Sequence, residues 1–275
     1  DAAVCTDANF THTATVTESR FRADSNFTAV GFQGEAVFRG AEFHGGDNTE
    51  DDDVTFADAT FAGEAAFANA RFRYASFDDA EFQQPARFER TQFSDDAVFA
   101  GTTFADHVSF IEGRFDDDVS FAEATFGAAV TFRGAEFAGG ANVTTDDLTF
   151  ESAQFGGEFD FRSVETAFVS FEDADFEGPA QFDETRFTDE ALFGGALFEG
   201  AATFDESRFE SDADLSGVTF SAETTFDGVE FHGGDNVRDD DITFAGSTVE
   251  VGANVDLPRR IAACFPAAAV DGTAE

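Results

Sequence analysis

Lysine, tryptophan and methionine are absent from the 275 residues, and tyrosine occurs once. The two cysteines, Cys5 and Cys264, lie near opposite ends, so no disulfide framework is expected. The longest apolar run, Ile261 to Val270, is too short to span a bilayer, and no secretory signal is visible. Positive charge is scarce. All 15 basic residues are arginine, against 57 acids, for a net charge of -42. That balance disfavours nucleic-acid phosphates and anionic membrane surfaces as direct partners. We expect no direct nucleic-acid binding and no membrane insertion within this chain. Lysine depletion beside acid excess is the habit of proteins from salt-saturated cytoplasm, and the charge is then mainly a solubility device. A cytoplasmic location is favoured. The chain opens at Asp1 without a methionine, which fits a fragment or a processed product.

What the chain has is phenylalanine, 40 of them, and all but three fall on a ruler. From Phe88 they fall at Phe93, Phe99, Phe104, Phe110, Phe115, Phe121, Phe126, Phe132 and Phe137, in steps of 5 and 6. The ruler runs from Phe10 to Val255 with 42 marks, and Val16, Thr166, Leu215 and Val249 stand in for the ring at some of them. Phe159, Phe168 and Phe265 fall off it. Two positions before a mark sits a small residue, as in Ala80, Ala97 and Ala135. A helix would space apolar residues by three and four, and a long strand would alternate. A chain that turns a corner every 5 or 6 residues fits instead, each short face pointing one large and one small residue inward. In a solenoid each face stacks on the one below. Four sides keep 5 on 5 and 6 on 6, giving coils of 22 residues. The marks then make ~10.5 coils and a rod about 50 Å long.

A longer period overlies the ruler. FHGGDNTEDDDVTF at 43–56, FAGGANVTTDDLTF at 137–150 and FHGGDNVRDDDITF at 231–244 repeat every 94 residues, and Pro85 and Pro179 obey the same offset. Each segment is 7 residues longer than the 6-residue slot it fills, and the later step from Phe72 to Phe77 is one short. A block is then 16 faces, or four whole coils, with the acidic segments in line about 19 Å apart. A competing parse makes Thr49, Val143 and Val237 inward marks and gives 17 faces, rotating each block by a quarter turn. Sixteen preserves the alternation. The short step carries an off-pattern aromatic, Tyr74 or Phe168. The expectation is a long segment bulging outward and received by the short face beside it.

The stretches ATFAGEAAFANARF, ATFGAAVTFRGAEF, ADANF and GGANV resemble pentapeptide repeats of the Phe-centred type, over residues 3–255. The composition points to a haloarchaeal member. The resemblance implies an all-β fold, a right-handed quadrilateral parallel β-helix with a stacked Phe core. Residues 1–257 form this rod, with super-repeats starting near 43, 137 and 231, and residues 258–275 a cap or linker. The regular sixth residue in alternate units and the scarcity of leucine depart from the family pattern.

Candidate sites are few. Asp47, Asp51, Asp52 and Asp53, and again Asp235, Asp239, Asp240 and Asp241, offer carboxylates near glycine turns, as hard cations require. The middle copy has lost two of the four, and the spacing matches neither an EF-hand nor the glycine-rich nonapeptide calcium repeat, so a solvated acidic bulge is the stronger reading and no metal is assigned. Tyr74 and Phe168 are candidates for a partner contact, or for packing against their own long segment. His44 and His232 would lie eight coils apart and cannot share a metal; His12 and His107 are isolated. Cys5 falls at an inward position. No catalytic cluster, phosphate loop or cofactor motif is present.

The expected function is therefore a non-enzymatic structural or interaction scaffold with an unknown protein partner. The chain would act as a monomer, or as a dimer through the apolar stretch after Leu257. The resemblance implies two alternatives. Some relatives mimic duplex DNA and bind type II topoisomerases. Others are soluble repeat domains of larger, membrane-anchored chains.

Overall fold

The computed structural model describes residues 3–45, 53–139, 147–232 and 242–249, with the backbone of 255–256. There are 42 two-residue strands in it, from β1 (Asn9–Phe10) to β42 (Val255–Asp256). Each pairs in parallel with the strand four further on, giving four sheets of 11, 11, 10 and 10 strands. The fold is a four-sided parallel β-solenoid. Call the faces 1 to 4 after the sheets that begin with β1, β2 (Ala14–Thr15), β3 (Arg20–Phe21) and β4 (Ser25–Asn26). Regular pairs such as Phe82 with Phe104 and Arg114 with Glu136 are 22 residues apart. Among the described residues no helix is long and apolar enough to cross a membrane.

The two step lengths have a backbone cause. At corners 2→3 and 4→1 the chain makes a tight turn, with the N–H of Ala41 donating to the Phe38 carbonyl and that of Ala80 to the Phe77 carbonyl. The residue before the donor is left-handed, as at Asn69, Asp79 and Glu112. Left-handed backbone strains a residue with a Cβ, yet the pattern recurs on coil after coil, because neighbouring coils hold each corner with hydrogen bonds such as Asp79 N–H to the Ala100 carbonyl. These are the 5-residue steps. The other two corners are wider and take 6.

Inside, rings stack along each face. Phe67, Phe88 and Phe110 lie 4.8 and 4.9 Å apart and within 10° of parallel. Columns on the opposite faces 2 and 4 meet edge to face, as Phe77 and Phe88 do at 5.5 Å and 90°. Both arrangements suit the ring quadrupole. Burying each Phe is worth roughly 1.5–3 kcal/mol, so the column is the main source of stability.

From Phe56 to Phe209 every coil holds four rings, but one coil distributes them differently. Thr166 occupies the face-3 position and leaves a gap between Phe137 and Phe187. Phe159, off the ruler, is fully buried where other coils have alanine, valine or threonine. It packs 4.6 Å from Phe155 and 5.3 Å from Phe176. Phe161 is displaced towards the gap: it stands at 64° to Phe132 below and 59° to Phe182 above, and lies nearly parallel to Phe137 at 6.1 Å. The off-pattern ring thus replaces the missing one.

Strand order also places the blocks. β7 (Glu42–Phe43), β23 (Glu136–Phe137) and β39 (Glu230–Phe231) all belong to face 3, sixteen strands apart. The inward marks required by the 17-face parse, Thr49, Val143 and Val237, lie outside the described residues. One end of the ruler needs correction. Val255 pairs with Thr224, so it aligns with the small inward position rather than with Phe226, and the last step is longer than spacing suggested. The stretch 258–275 also lies outside the described residues.

Candidate interaction surface

The long segment and the short step share corner 3→4. The long one joins β7 to β8 (Val54–Thr55), and the short one joins β11 (Arg71–Phe72) to β12 (Ala75–Ser76), one coil on. Asp53, the last residue of the long segment, is 1% exposed. Arg73 donates to both of its carboxylate oxygens, Nε at 2.6 Å and Nη2 at 2.7 Å, and the Tyr74 N–H donates to Oδ2 at 3.1 Å. The hydrogen bond to Asp53 raises the Arg73 pKa, with burial opposing. Gly45, at φ 62°, faces the same carboxylate, and a Cβ there would strike it. Asp53 therefore fastens the end of the segment to the short corner, and Gly45 lies against the same carboxylate.

In the second block the Phe168 N–H donates to Asp147 Oδ2 at 3.3 Å, and Gly139 again faces the carboxylate. Ala167 stands where Arg73 does, so the guanidinium is missing. Tyr74 and Phe168 are both half-buried on this corner. Of the eight acidic candidates, Asp53 alone is among the described residues, and its oxygens are taken by Arg73 and Tyr74. Asp47, Asp51, Asp52, Asp235, Asp239, Asp240 and Asp241 lie outside them.

His44 and His232 repeat one contact, each placing Nε2 3.2 Å from the glutamate two residues before it, Glu42 or Glu230. Hydrogen bonds from His44 and then Arg20 lower the Glu42 pKa. Cys5 is half-buried against the core. Asp95, Asp96 and Asp117 bring carboxylate oxygens within 4.8 Å of one another on corner 3→4. Burial raises the Asp117 pKa; the charges of Asp118 and Asp95 add to the rise, and a backbone hydrogen bond from Asp118 opposes it.

Charge is segregated around the rod, which reading the chain in line did not reveal. The outward row of face 3 runs Arg20, Glu42, Arg71, Gln92, Arg114, Glu136, Glu165, Arg186, Arg208, Glu230. It is cross-linked coil to coil: Arg20 to Glu42 at 2.6 Å, Arg71 to Glu42 at 3.1 Å, Arg114 to Glu136 at 3.1 Å, Arg186 to Glu165 at 3.0 Å. Every arginine among the described residues lies on face 2, face 3 or corners 2→3 and 3→4. Faces 4 and 1 have none, and the corner between them carries Asp58, Asp78, Asp79, Glu123, Glu151, Glu172 and Asp173. Burial, then the charges of Asp79 and Asp58, raise the Asp78 pKa. The signal was available in the residue before every fourth mark, once the coil was known to have four sides.

Comparison with known proteins agrees with this geometry. The family model described as "Pentapeptide repeats (9 copies)" matches residues 51–92, 67–113, 88–136 and 193–239. Among solved structures, a trypsin-treated form of QnrB1, a plasmid-mediated fluoroquinolone resistance protein, is 13% identical; the match covers 91% of this chain and 92% of that one, with a TM-score of 0.25. HetL, a pentapeptide repeat protein involved in heterocyst differentiation regulation from the cyanobacterium Nostoc sp., is 14% identical over 87% of this chain and 90% of that one, with a TM-score of 0.27. At such values neither likeness adds to the strand order above. No curated protein matches the chain in sequence. Residues 51–136 and 193–239 thus carry the repeats of the pentapeptide-repeat family, and the same coil runs between and beyond them.

Proposed function

We propose that the protein is a non-enzymatic interaction scaffold, a stiff acidic rod that offers a partner one side only. The segregation of charge carries this reading. Face 3 pairs its own arginines and glutamates, while the corner between faces 4 and 1 leaves carboxylates without any arginine alongside. A basic partner would be steered to that corner. The halophilic composition supports the same picture of a rod kept soluble by its acids. The test is capture of partners from a lysate of the source organism on the wild-type rod and on a variant with Asp58, Asp78, Glu123 and Glu151 changed to the amides. Loss of a partner from the variant supports the reading; an identical set of partners on both overturns it.

A second reading is mimicry of duplex DNA towards a type II topoisomerase. It is favoured by the acids along the arginine-free corner, where Glu123, Glu151 and Glu172 sit on three successive coils about 4.8 Å apart. B-DNA carries one charge per roughly 1.7 Å. Inhibition of gyrase supercoiling at micromolar protein supports mimicry, and its absence counts against it.

A further inference from the structure

Face 2 is not uniform along the rod. Over four coils it holds a groove of about 440 Å³. Among its lining residues, Pro85, His107 and Ala129 lie where the chain enters the face, Ser109 and Thr131 on its strands, and Ile111 and Arg133 where it leaves. The volume is within the roughly 300–1,000 Å³ of small-molecule sites. The groove runs three coil steps, about 14 Å.

The second block serves as an internal comparison. At an offset of 94 the backbone landmarks persist: Pro85 and Pro179, Ala86 and Ala180, Thr131 and Thr225. The lining does not. His107, Ile111, Ala129 and Arg133 become Ala201, Asp205, Glu223 and Asp227, and Arg87 becomes Gln181. The neighbouring corner differs too. Gly178 and Gly200 stack so closely on the backbone below that a Cβ would collide, whereas Gln84 and Asp106 hold those places in the first block. In a chain of net charge -42, one stretch of one face has gained apolar and cationic groups where its duplicate has acids.

The charges at the two ends are already matched. Arg87 pairs with Glu64 at 2.8 Å, and Arg162 donates to both oxygens of Asp160, at 2.8 and 3.0 Å. Glu89 and Glu158 stand at the margins. The Arg133 guanidinium enters no ion pair among the described residues. We propose that this groove binds a small amphipathic carboxylate, its apolar body against Pro85, Ile111 and Ala129 and its anionic group on the Arg133 guanidinium. A guanidinium fork matches a carboxylate in shape as well as charge.

The test is calorimetric titration in high-KCl buffer with octanoate, and with octanol as the neutral match. One saturable site for octanoate is expected, with octanol weaker by about tenfold or more. Arg133→Asp and Ile111→Asp write in the residues of the second block and should each abolish binding. Asp227→Asn, at the counterpart, should leave it unchanged. Circular dichroism checks that these surface variants stay folded. N-acetyl-leucine separates two sources of the same chemistry: tighter octanoate assigns the site to fatty acids, and tighter N-acetyl-leucine to a peptide C-terminus. The absence of saturable heat, octanol binding as tightly as octanoate, or octanoate affinity unchanged in both variants overturns the proposal.

Discussion

The two full blocks solve the same packing problem with different residues. In the first, Ala65 and Phe72 share a coil; in the second, the same positions hold Phe159 and Thr166. Both coils carry four rings, and both are closed. The corner outside them differs as well, because Asp53 meets Arg73 and Asp147 meets the chain beside Ala167. The core conserves ring volume whatever position supplies it, whereas the corner tolerates loss of a whole ion pair. A close-packed interior has no slack for a missing ring. A half-exposed corner can admit water in place of a guanidinium.

The largest expected effect breaks the first half of this comparison. Phe159→Ala should cost about 3–5 kcal/mol, since it empties a site that cannot collapse. Thr166→Phe alone should also destabilise, by about 1–3 kcal/mol, through overpacking. The double variant rebuilds the first-block arrangement and should recover most of the loss. Denaturant titration of the full cycle reads the coupling; simple additivity would show that Phe159 does not substitute for the face-3 ring. The second half is sharpened by Arg73→Ala. It leaves Asp53 buried without its cation and should cost about 1–3 kcal/mol, seen as faster amide exchange at Tyr74. Introducing the cation by Ala167→Arg should slow exchange at Phe168. No change at either corner would mean that the fastening is only geometric.

The smallest effect concerns pH. Asp78 is held above the ordinary carboxylate value by burial and by Asp79 and Asp58. A raised folded pKa contributes stability below the unfolded value, about 3.9, and that contribution is lost as pH rises through the folded value. Asp78→Asn should therefore raise the thermal midpoint at pH 7, and the gain should fade on acidification towards pH 4. Glu42 behaves in the opposite sense, because His44 and Arg20 lower its pKa; its contribution holds at neutral pH and is lost in acid. A gain from Asp78→Asn that persists at low pH would point to side-chain propensity rather than charge.

Much of this was legible in the chain. Steps of 5 and 6 imply four faces, and the 94-residue offset implies blocks of whole coils. Phe159 was not legible, because a ruler counts positions along the chain and a core counts volume. Thr166 marked the right place, but its ring had moved seven residues upstream, to another face. Asp53 looked like a cation ligand for a similar reason. Its partner is 20 residues away in sequence and one coil away in space, so a local motif shows the acid without its arginine. Val255 deceived at the ruler's end because spacing alone does not give the register that sets it beside Thr224.

A block of whole coils has an evolutionary consequence. Copying such a unit lengthens the rod by a fixed quantum of about 19 Å without turning anything downstream. Every later face keeps its compass bearing, so binding surfaces already in use survive the insertion. A unit one face longer would swing the remainder of the rod through a right angle and point each old surface at a new neighbour. Duplication here is free to change reach while leaving aim alone.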